Sequence, residues 1–330
     1  MKHPKKLSFI DFCAGIGAGR LGLESNGLSC VGFSEIDRQA EITYRKFFGE
    51  EEINYGDLTK IKPETLPDFE IMIAGFPCQT FSVIGQRKGM GEERGKIIFS
   101  LIKIMLTKNV KYFILENVKG LTNHDNGNSL KVILNELDKA GYKVFYQVLN
   151  SIDYGVPQMR ERIYFVGIRK DLVADDFQFF FPKRQPKKDI QDYLIDIKEL
   201  EFDEKKVTYK TFLKYLDNKY NKGQYLINEL LEKDYMVIDT RQSDLRVYHN
   251  KVPTLRAGRH GILYVKNKKF RKLSGYESLL LQGFPKELAK KVDGIIDEIN
   301  LLKQTGNAMT VSAIEAIARE LFKTLKKHEK

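Results

Sequence analysis

Cys78 is the residue of this sequence that is best placed for covalent chemistry. It follows the apolar run at residues 71–76, which we predict to be a β-strand, and Pro77 restricts the backbone directly before it. Open α/β sheets bind their ligands beyond the carboxyl ends of their strands, so a cysteine at this position is a candidate nucleophile. The other two cysteines, Cys13 and Cys30, are interpreted as small buried hydrophobic residues.

A carboxylate and two arginines are expected at the same edge of the sheet. Glu116 ends an apolar predicted strand, where a carboxylate is costly unless it is paired or used. Arg160 and Arg162 lie at the start of a later strand, and alternation along it would place both side chains on one face. Such a pair could bind a carboxylate, a phosphate or a carbonyl, or could form surface ion pairs with Glu161. These residues alone favour neither interpretation.

A glycine-rich turn joins the first predicted strand to the first predicted helix. Asp11 ends the strand, and Gly15 and Gly17 allow the backbone to turn sharply and to approach a ligand at the helix N-terminus. The second predicted strand ends at Glu35, where a carboxylate can bind ribose hydroxyls. Asp57 follows where a third carboxylate could meet an adenine ring. The turn therefore predicts a nucleotide-type cofactor.

Two cofactors fit this turn. Residues 17–22 match the Gly-x-Gly-x-x-Gly pattern of dinucleotide-binding proteins, but the middle glycine lies a turn too late after the strand. Asp11 would repel a pyrophosphate, whereas it suits a ligand that carries an ammonium or a sulfonium group. We therefore favour S-adenosylmethionine (SAM) over a dinucleotide. Carboxylates at successive strand ends argue against a turn that binds no ligand.

Together these groups predict methyl transfer to a carbon that is not itself nucleophilic, such as carbon 5 of cytosine. A thiolate that adds at carbon 6 makes carbon 5 enamine-like, and a carboxylate that stabilises protonation at N3 assists this addition. Carbon 5 can then accept a methyl group, and loss of its proton expels the thiolate.

The elements that would position these groups alternate between strands and helices up to about residue 170. This spacing is typical of a doubly wound, mostly parallel α/β sheet. Residues 177–186, with two prolines, are interpreted as a linker, and periodicity is weak beyond it until a final helix at about residues 305–328. The predicted strands cover residues 7–12, 29–34, 71–76, 112–115, 143–149 and 162–168, and helices are predicted at 19–26, 38–47, 97–106 and 129–140.

The composition excludes several classes of protein. Of the 330 residues, 42% are hydrophobic, 30% are charged and 9 are Pro, so the chain is neither disordered nor fibrous. No uncharged apolar stretch approaches the length of a membrane span, and the N-terminus is not typical of a secretory signal. Three cysteines are too few for a disulfide framework, which predicts a cytoplasmic protein. We expect a monomer, because no oligomerisation seam is evident.

Positive charge is concentrated at residues 241–272, which we call the basic cluster. It contains ten Lys and Arg residues and one acidic residue, whereas residues 182–240 contain twelve charges of each sign. Tyr248, His249, Tyr264 and Phe270 are interleaved with the basic residues, a pattern typical of a polyanion-binding surface; a solvated lysine-rich face is the common alternative. Nucleic acid is favoured over a membrane because no amphipathic helical period accompanies the charge.

In order along the chain, these motifs resemble those of the DNA (cytosine-5) methyltransferases, in particular the small bacterial modification enzymes. The resemblance covers nearly the whole chain, and the ordered set is specific although each motif is weak alone. It implies a Rossmann-like, SAM-dependent catalytic domain at residues 1–181 plus 290–330 and a smaller DNA-binding target-recognition domain at 182–289. The matching segments are residues 11–17, 35–37, 56–57, 75–79, 116–118, 124–128, 158–162, 271–285 and 304–307.

The resemblance implies catalytic roles for four residues. Cys78 would be the nucleophile, and Glu116 would contact N3 and the amino edge of the cytosine. Arg162, with Arg160 beside it, would bind the O2 of the base.

It also implies how the cofactor is held. Glu35 would take the ribose hydroxyls, Asp57 the adenine amino group, and Pro77 and Asn307 would lie near the methionine part. The implied cofactor-binding set is Asp11, Cys13, Gly15, Gly17, Glu35, Ile36, Asp57, Pro77, Ile97 and Asn307, with no metal.

The implied substrate is double-stranded DNA with a short recognition sequence, from which the target cytosine is flipped out. A restriction endonuclease that acts separately is the expected functional partner. Residues 79–96, with Ser82, would form the loop that closes over the DNA, and Thr254 would belong to the recognition domain. Arginine to guanine is the commonest specific contact. The expected DNA-binding residues are thus Ser82, Thr254, the base-reader candidates Arg246, Arg256 and Arg259, and Gln242, which would occupy the space left by the flipped base.

Two positions depart from the family pattern. Cys13 stands where an aromatic residue is usual, so Phe12 or Ile36 would have to replace that ring against adenine. Leu280 stands where an arginine is usual, which removes a structural ion pair.

Three other functions are compatible with parts of the sequence. A methyltransferase acting on RNA cytosine would use the same groups, although the basic cluster favours DNA. An NAD-dependent oxidoreductase would use residues 17–22 but would leave Cys78 and Glu116 without a role. A catalytically silent DNA-binding protein is disfavoured by the intact Cys78, Glu116 and Arg162.

Overall fold

The computed structural model describes residues 6–76, 96–195, 207–240, 245–258 and 261–328. The chain forms two compact units. The first comprises residues 1–150, 161–184 and 308–330, and the second comprises 151–160 and 185–307. Residues 290–307, which the resemblance grouped with the catalytic domain, are part of the second unit. Five residues of the expected site lie outside the described residues: Pro77, Cys78, Ser82, Gln242 and Arg259.

The described strands and helices are numbered in chain order. The strands are β1 Ser8–Phe12, β2 Ser29–Ser34, β3 Ile71–Gly75, β4 Tyr112–Val118, β5 Tyr142–Asn150, β6 Gln158–Met159, β7 Glu161–Arg169, β8 Val237–Thr240, β9 Leu245–Tyr248, β10 Val252–Pro253, β11 Ile262–Lys266 and β12 Lys269–Lys272. The helices are α1 Ala18–Glu24, α2 Arg38–Phe48, α3 Lys96–Thr107, α4 Asn128–Lys139, α5 Val207–Leu216, α6 Ile227–Leu231, α7 Gly275–Leu281, α8 Lys286–Val292, α9 Glu298–Asn307 and α10 Val311–His328.

The first unit is built on a six-stranded sheet in the order β2-β1-β3-β4-β7-β5. The pairs β1–β2, β1–β3 and β3–β4 are parallel, and only β7 runs against its neighbours β4 and β5. Residues 71–74 of β3 are completely buried, as expected for a strand covered by helices on both faces. The sheet confirms the predicted α/β fold class. Its parallel strands bring the ends of β1, β2, β3 and β4 to one edge.

The C-terminal helix α10 packs against α1. At Gly22 of α1, a Cβ atom would lie 2.6 Å from the Cβ of Ile314 in α10, so glycine permits the close approach of the two helices. Asn26 adds a hydrogen bond of 3.1 Å from its Nδ2 to the backbone oxygen of Glu315. The last helix therefore stabilises the helix that follows the glycine-rich turn.

One sequence-based expectation about the elements was wrong, and another holds only in part. The final helix does not begin near residue 305, because α9 ends at Asn307 and a new helix, α10, begins at Val311. The change of compact unit falls between Asn307 and Ala308, in the break between these two helices. The change of compact unit between Arg184 and Gln185 falls inside residues 177–186, the predicted linker, but the first part of this segment is packed against the first unit. Phe177 and Phe179 are buried in the first unit, and each ring packs edge-to-face with the ring of Phe145.

The second unit is built on an antiparallel sheet in the order β12-β11-β8-β9. Both faces of β11 are buried: Tyr264 packs with one apolar cluster, and Leu263 and Val265 pack with another. Helix α7 begins with a capping box in which Ser274 and Glu277 bond reciprocally, and the Tyr264 hydroxyl donates to Glu277 at 2.8 Å. Among the described residues, no helix has the length and apolar character needed to cross a membrane.

Candidate active site

The turn after β1 presents a buried carboxylate. Asp11 is completely buried, and its Oδ2 accepts a hydrogen bond of 3.0 Å from the backbone N–H of Arg20. Its Oδ1 has no hydrogen-bond partner among the described residues. Loss of solvent raises the pKa of Asp11 well above its usual value. A cationic group beside this oxygen would stabilise the ionised form, so the turn favours a positively charged ligand.

Two glycines give the turn its shape. Gly15 and Gly17 adopt φ values of +56° and +84°, in the left-handed region that favours glycine. A Cβ at Gly17 would lie 2.3 Å from the ring of Phe48, whereas a Cβ at Gly15 would meet no atom within 4 Å. The open space at Gly15 lies where its N–H donates to Glu35, so a ligand can approach the backbone there.

The Glu35 carboxylate is held by backbone donors. The N–H of Gly15 donates to its Oε2 at 2.7 Å, and those of Ile36 and Asp37 donate to its Oε1 at 2.8 Å each. Three such bonds fix the carboxylate and leave acceptor sites for hydroxyl groups. Ile36 beside it is 76% exposed, which provides an apolar surface for a planar ring.

Asp57 supplies another carboxylate. It caps the short 3-10 turn Leu58–Lys60, accepting from the N–H and the hydroxyl of Thr59 at 2.9 and 2.7 Å. The Thr59 hydroxyl, with smaller contributions from the Thr59 N–H and Lys60, lowers the pKa of Asp57. Asp57 is therefore ionised at neutral pH and can accept from an amino group.

Asn54 joins the loops that carry these two carboxylates, and the sequence analysis missed it. Its Oδ1 accepts from the N–H of Glu35 at 3.1 Å and from that of Gly56 at 2.9 Å, while its Nδ2 donates to the carbonyl of Glu35 at 3.0 Å. Ser34 reinforces the link with a hydrogen bond of 2.6 Å to the carbonyl of Gly56. A polar residue shortly before Asp57 was the available signal, but only the fold shows which backbone groups it reaches.

Cys13 lies in the same environment. It is half-buried against the main apolar core at a φ of +51°. Burial, with the charges of Glu35, Asp11 and Asp57, raises the pKa of Cys13 to about 12. Its thiol is therefore neutral and unsuited to nucleophilic attack.

Glu116 and Arg162 form an ion pair at the end of the sheet. Glu116 is buried in β4, and the Nε of Arg162 in β7 lies 3.0 Å from its Oε1. Glu116 is paired in register with Gly75, the last residue of β3. A buried carboxylate with an arginine partner thus lies beside the end of the strand that leads to Cys78.

Asn117, next to Glu116, holds the same strand end. Its Nδ2 donates to the carbonyl of Phe76 at 2.9 Å, and its Oδ1 accepts from the N–H of Val118 at 2.8 Å. Phe76 is the last described residue before Pro77 and Cys78. The hydrogen bond therefore fixes the backbone at the point from which the candidate nucleophile follows.

Arg160 takes no part in the ion pair of Glu116 and Arg162 and bonds to backbone carbonyls instead. It belongs to the second unit and is buried, with its Nη1 donating to the carbonyls of Leu255 at 3.0 Å and Gly306 at 3.2 Å. Arg160 and Arg162 therefore do not lie on one face of a continuous strand, because β6 ends at Met159 and β7 begins at Glu161. Strand alternation does not apply across this change of unit.

The remaining described cofactor candidates differ in exposure. Ile97 is half-buried at the start of α3 and packs against the main core of the first unit. Asn307 is exposed at the end of α9 in the second unit. Met309, which the sequence analysis did not identify, packs beside the turn: a Cβ at Gly19 would lie 2.7 Å from its Cε, and one at Gly75 would lie 3.4 Å from its Cγ.

Only part of the basic cluster is an exposed surface. Arg246 on β9 and Arg256 are exposed, and the Thr254 hydroxyl donates to the carbonyl of Met159 at 2.6 Å. Arg271 is buried, and so are the aromatic residues Tyr264 and Phe270. The expectation that Tyr264 and Phe270 contribute to a polyanion-binding face is therefore wrong, because β11 and β12 use them in the apolar core.

The sheet order and the carboxylates at its strand ends define an α/β enzyme of the methyltransferase class. The chain belongs to the C-5 cytosine-specific DNA methylases, whose family pattern matches residues 7–323. Members of this family use SAM as methyl donor.

The relatives agree with this assignment. The chain is 37% identical to the type II methyltransferase M.BsuFI of Bacillus subtilis over 95% of this chain and 72% of the relative. It is 34% identical to M.HhaI of Haemophilus parahaemolyticus over 97% of this chain and 95% of the relative. Among solved structures, the Entamoeba histolytica methyltransferase EhMeth has the same fold, with a TM-score of 0.70, 20% identity and coverage of 99% of this chain and all of the other.

The residues present at the turn fit SAM. The unpartnered Oδ1 of Asp11 favours a cation, and the fixed carboxylate of Glu35 can accept from two adjacent hydroxyls. The exposed Ile36 and the ionised Asp57 suit the ring and the amino group of adenine. A pyrophosphate, by contrast, would meet carboxylates on successive strand ends.

Proposed function

We propose that this chain methylates carbon 5 of a cytosine flipped out of duplex DNA through a covalent adduct with Cys78. The observation that carries this assignment of residues is the buried ion pair between Glu116 and Arg162 beside the end of β3, the strand that leads to Cys78. A carboxylate that is kept from water next to an arginine suits the polar edge of a pyrimidine ring.

The residues would divide the reaction as follows. The Cys78 thiolate forms a bond to carbon 6, and Glu116 holds the proton at N3 that balances the charge pushed into the ring. Arg162 donates to the O2 of the base and keeps Glu116 in place. Bound SAM would supply the methyl group to carbon 5 and leave as S-adenosylhomocysteine. Loss of the proton from carbon 5 then breaks the bond between carbon 6 and sulfur and restores the thiolate.

Most of the residues proposed to hold the cofactor belong to the first unit. Asp11 and the turn at Gly15 and Gly17 would face the methionine part, Glu35 the ribose and Asp57 the adenine, with Cys13, Ile36 and Ile97 as apolar lining. Pro77 and Asn307 are proposed at the methionine end on resemblance. No metal is required, because the sulfonium already activates the methyl group.

DNA recognition would belong to the second unit and catalysis to the first. Arg246, Thr254 and Arg256 would contact the DNA, together with Arg259, Gln242 and Ser82. Arg160 would position the backbone at Leu255, beside Thr254, through its hydrogen bond to that carbonyl. Phosphate contacts from the basic cluster would make binding dependent on salt.

The biological setting proposed is that of the relatives. The enzyme would act as a monomer in a bacterial cytoplasm, associated with the nucleoid through DNA binding. It would protect the sites cut by a separate restriction endonuclease.

The test uses tritiated SAM, mixed plasmid DNA and DNA containing 5-fluorocytosine. We expect label on the plasmid and a covalent adduct with the fluorinated DNA, both lost in Cys78→Ala but kept in Cys30→Ala. Glu116→Gln should lower kcat on the order of a hundredfold, whereas Glu64→Gln, an exposed control, should not. Transfer to tRNA but not to DNA would replace the proposed substrate by RNA. Adduct formation without Cys78 would contradict the proposed nucleophile.

A further inference from the structure

The second unit contains an open pocket of about 730 Å³, within the range of small-molecule and nucleotide sites. Its lining comes from the turn at residues 218–225, with Tyr220 and Gln224, and from β9, with Arg246 and Tyr248. Thr254 and Met159 complete the lining. The turn lies in the electrically neutral part of the sequence, so charge patterning did not identify it.

The walls of this pocket are fastened to each other. Asn221 is buried, its Nδ2 donates to the carbonyl of Tyr215 at 2.7 Å, and its Oδ1 accepts from the N–H of Leu245 at 3.1 Å. The Tyr225 hydroxyl donates to the carbonyl of Leu245 at 3.4 Å. Since β9 begins at Leu245, the turn and the strand keep a defined separation. The pocket is therefore part of the folded unit.

The chemistry of the lining suits a nucleotide. Tyr220 is 51% exposed and offers a ring face, with the Nζ of Lys219 4.9 Å from the ring centre. Gln224 uses its Nε2 to bond the carbonyl of Tyr220 at 2.8 Å, and its amide oxygen has no hydrogen-bond partner among the described residues. Arg246 is the one charged residue of the described lining, which holds no carboxylate. An amide, an aromatic ring and a cation match the edge of a base in a groove and a phosphate.

We propose that this pocket binds a nucleotide of the recognition sequence, with Gln224 hydrogen-bonding the edge of its base and Tyr220 packing against the same edge. This inference rests on the proposed function, because it takes duplex DNA as the substrate. Specificity is then determined in part by a neutral turn outside the basic cluster. Arg246 of the same lining contacts the phosphate. Gln224 is a specificity-determining residue that leaves the chemistry at Cys78 unchanged.

The experiment compares the sequence preference of Gln224→Ala, Tyr220→Ala and Tyr220→Phe with that of the wild type. Each protein methylates a random-sequence DNA library, and the methylated cytosines are sequenced with their flanks. We expect Gln224→Ala to relax the preference at one position of the site by about tenfold, the size of a lost base contact. Tyr220→Phe should keep the wild-type preference and Tyr220→Ala should lose part of it. Gln191→Ala, an exposed glutamine of the same unit outside the pocket lining, is the control.

The outcomes separate this proposal from the proposed function. If the wild type transfers no methyl group to DNA, the proposed function fails. If the wild type is active and Gln224→Ala has the same sequence preference as the control Gln191→Ala, the pocket proposal is overturned. A uniform loss of affinity without a change in preference would also overturn it, since it would show a backbone contact instead of base reading. Unchanged SAM affinity and thermal unfolding exclude misfolding of the variants.

Discussion

At the scale of single residues, the candidate cofactor site is determined by what each polar group bonds. The carboxylates of Glu35 and Asp57 are fixed by backbone and hydroxyl donors, whereas Asp11 keeps an unpartnered buried oxygen. The thiol of Cys13 is neutral because burial and nearby carboxylates raise its pKa to about 12. The same local chemistry predicts how these residues respond to substitution, to alkylation and to pH.

The thiols should differ in reactivity. Burial raises the pKa of Cys13 and of Cys30 to about 12, so on the order of one part in ten thousand of each is thiolate at pH 8. Iodoacetamide should therefore label Cys78 first, and Cys78→Ala should remain almost unlabelled, as measured by peptide mass spectrometry. Rapid labelling of Cys13 in the folded protein would contradict this assignment.

The raised pKa values of Cys13 and Cys30 also predict that the protein loses stability at alkaline pH. A folded-state pKa above the usual 9.0 means that the unfolded chain releases the thiol protons first as the pH rises. The contribution of these thiols to the free energy of unfolding should therefore fall from about pH 9 upwards. Urea unfolding at pH 8 and pH 10 should show a smaller alkaline loss in Cys30→Ala than in the wild type.

Asn54 should control the affinity for the cofactor. Asn54→Ala removes three hydrogen bonds between the loops that carry Glu35 and Asp57, and each bond contributes about 1 kcal/mol. Because these loops hold the two carboxylates, we expect the KM for SAM to rise on the order of tenfold. The kcat should change little. Asn54→Asp keeps the acceptor but loses the donor, so its KM should be intermediate. Initial rates at saturating DNA test this, with the exposed Asn228→Ala as control. Equal KM values for Asn54→Ala and the control would show that the link is dispensable.

At the scale of elements, the sheet and its two packed terminal helices position the turn. Helix α1 begins at the glycine-rich turn, and helix α10 packs against α1 at Gly22. The first and the last described helices therefore stabilise each other beside the turn. Strand order places Glu116 beside the end of β3, and Asn117 bonds to Phe76 at that point. Neighbouring elements, more than the loops themselves, fix the site.

Gly22→Ala should destabilise the first unit. Its Cβ would lie 2.6 Å from Ile314 and 3.0 Å from the backbone nitrogen of Glu315, so the helices must separate, at a cost of about 1–3 kcal/mol. Adding Ile314→Ala should not restore stability, because the Cβ of residue 314 stays 2.6 Å away and truncating this buried side chain itself costs about 2–5 kcal/mol. Gly120→Ala, whose Cβ would make only an ordinary contact at 4.0 Å, is the matched control. Urea unfolding measures the three variants, and equal midpoints for Gly22→Ala and Gly120→Ala would refute the packing argument.

At the scale of the whole molecule, the carboxylates of the candidate cofactor site and the basic cluster lie in different compact units. The first contains the parallel sheet and its carboxylates, and the second contains the antiparallel sheet and the basic cluster. Arg256 of that cluster is exposed, whereas Arg271 is buried. The charge of a sequence segment therefore overstates the charge of the surface that it forms.

Arg256 should contribute to the salt dependence of DNA binding. Arg256→Ala should weaken binding to all sequences at low salt and should reduce the slope of log affinity against log salt by about one. Lys290→Ala, an exposed cation of the same unit outside the cluster, should leave the slope unchanged. Fluorescence anisotropy at several salt concentrations measures both. An unchanged slope in Arg256→Ala would remove this residue from the phosphate contacts.

The sequence by itself determined the α/β fold class, the six strands of the central sheet and the family. These follow from local patterns: apolar runs that end in Glu35 or Glu116, a glycine turn and the order of the motifs. It missed most of the second unit, because β11 is buried on both faces and so shows no alternation.

Only the tertiary structure decided which polar groups meet. It paired Glu116 with Arg162, placed Arg160 against the carbonyls of Leu255 and Gly306, and set Asn54 between two loops. It also split the expected last helix at the change of unit after Asn307. The physical reason is that local sequence determines backbone propensity and periodicity, whereas hydrogen bonds between distant residues depend on how the elements pack.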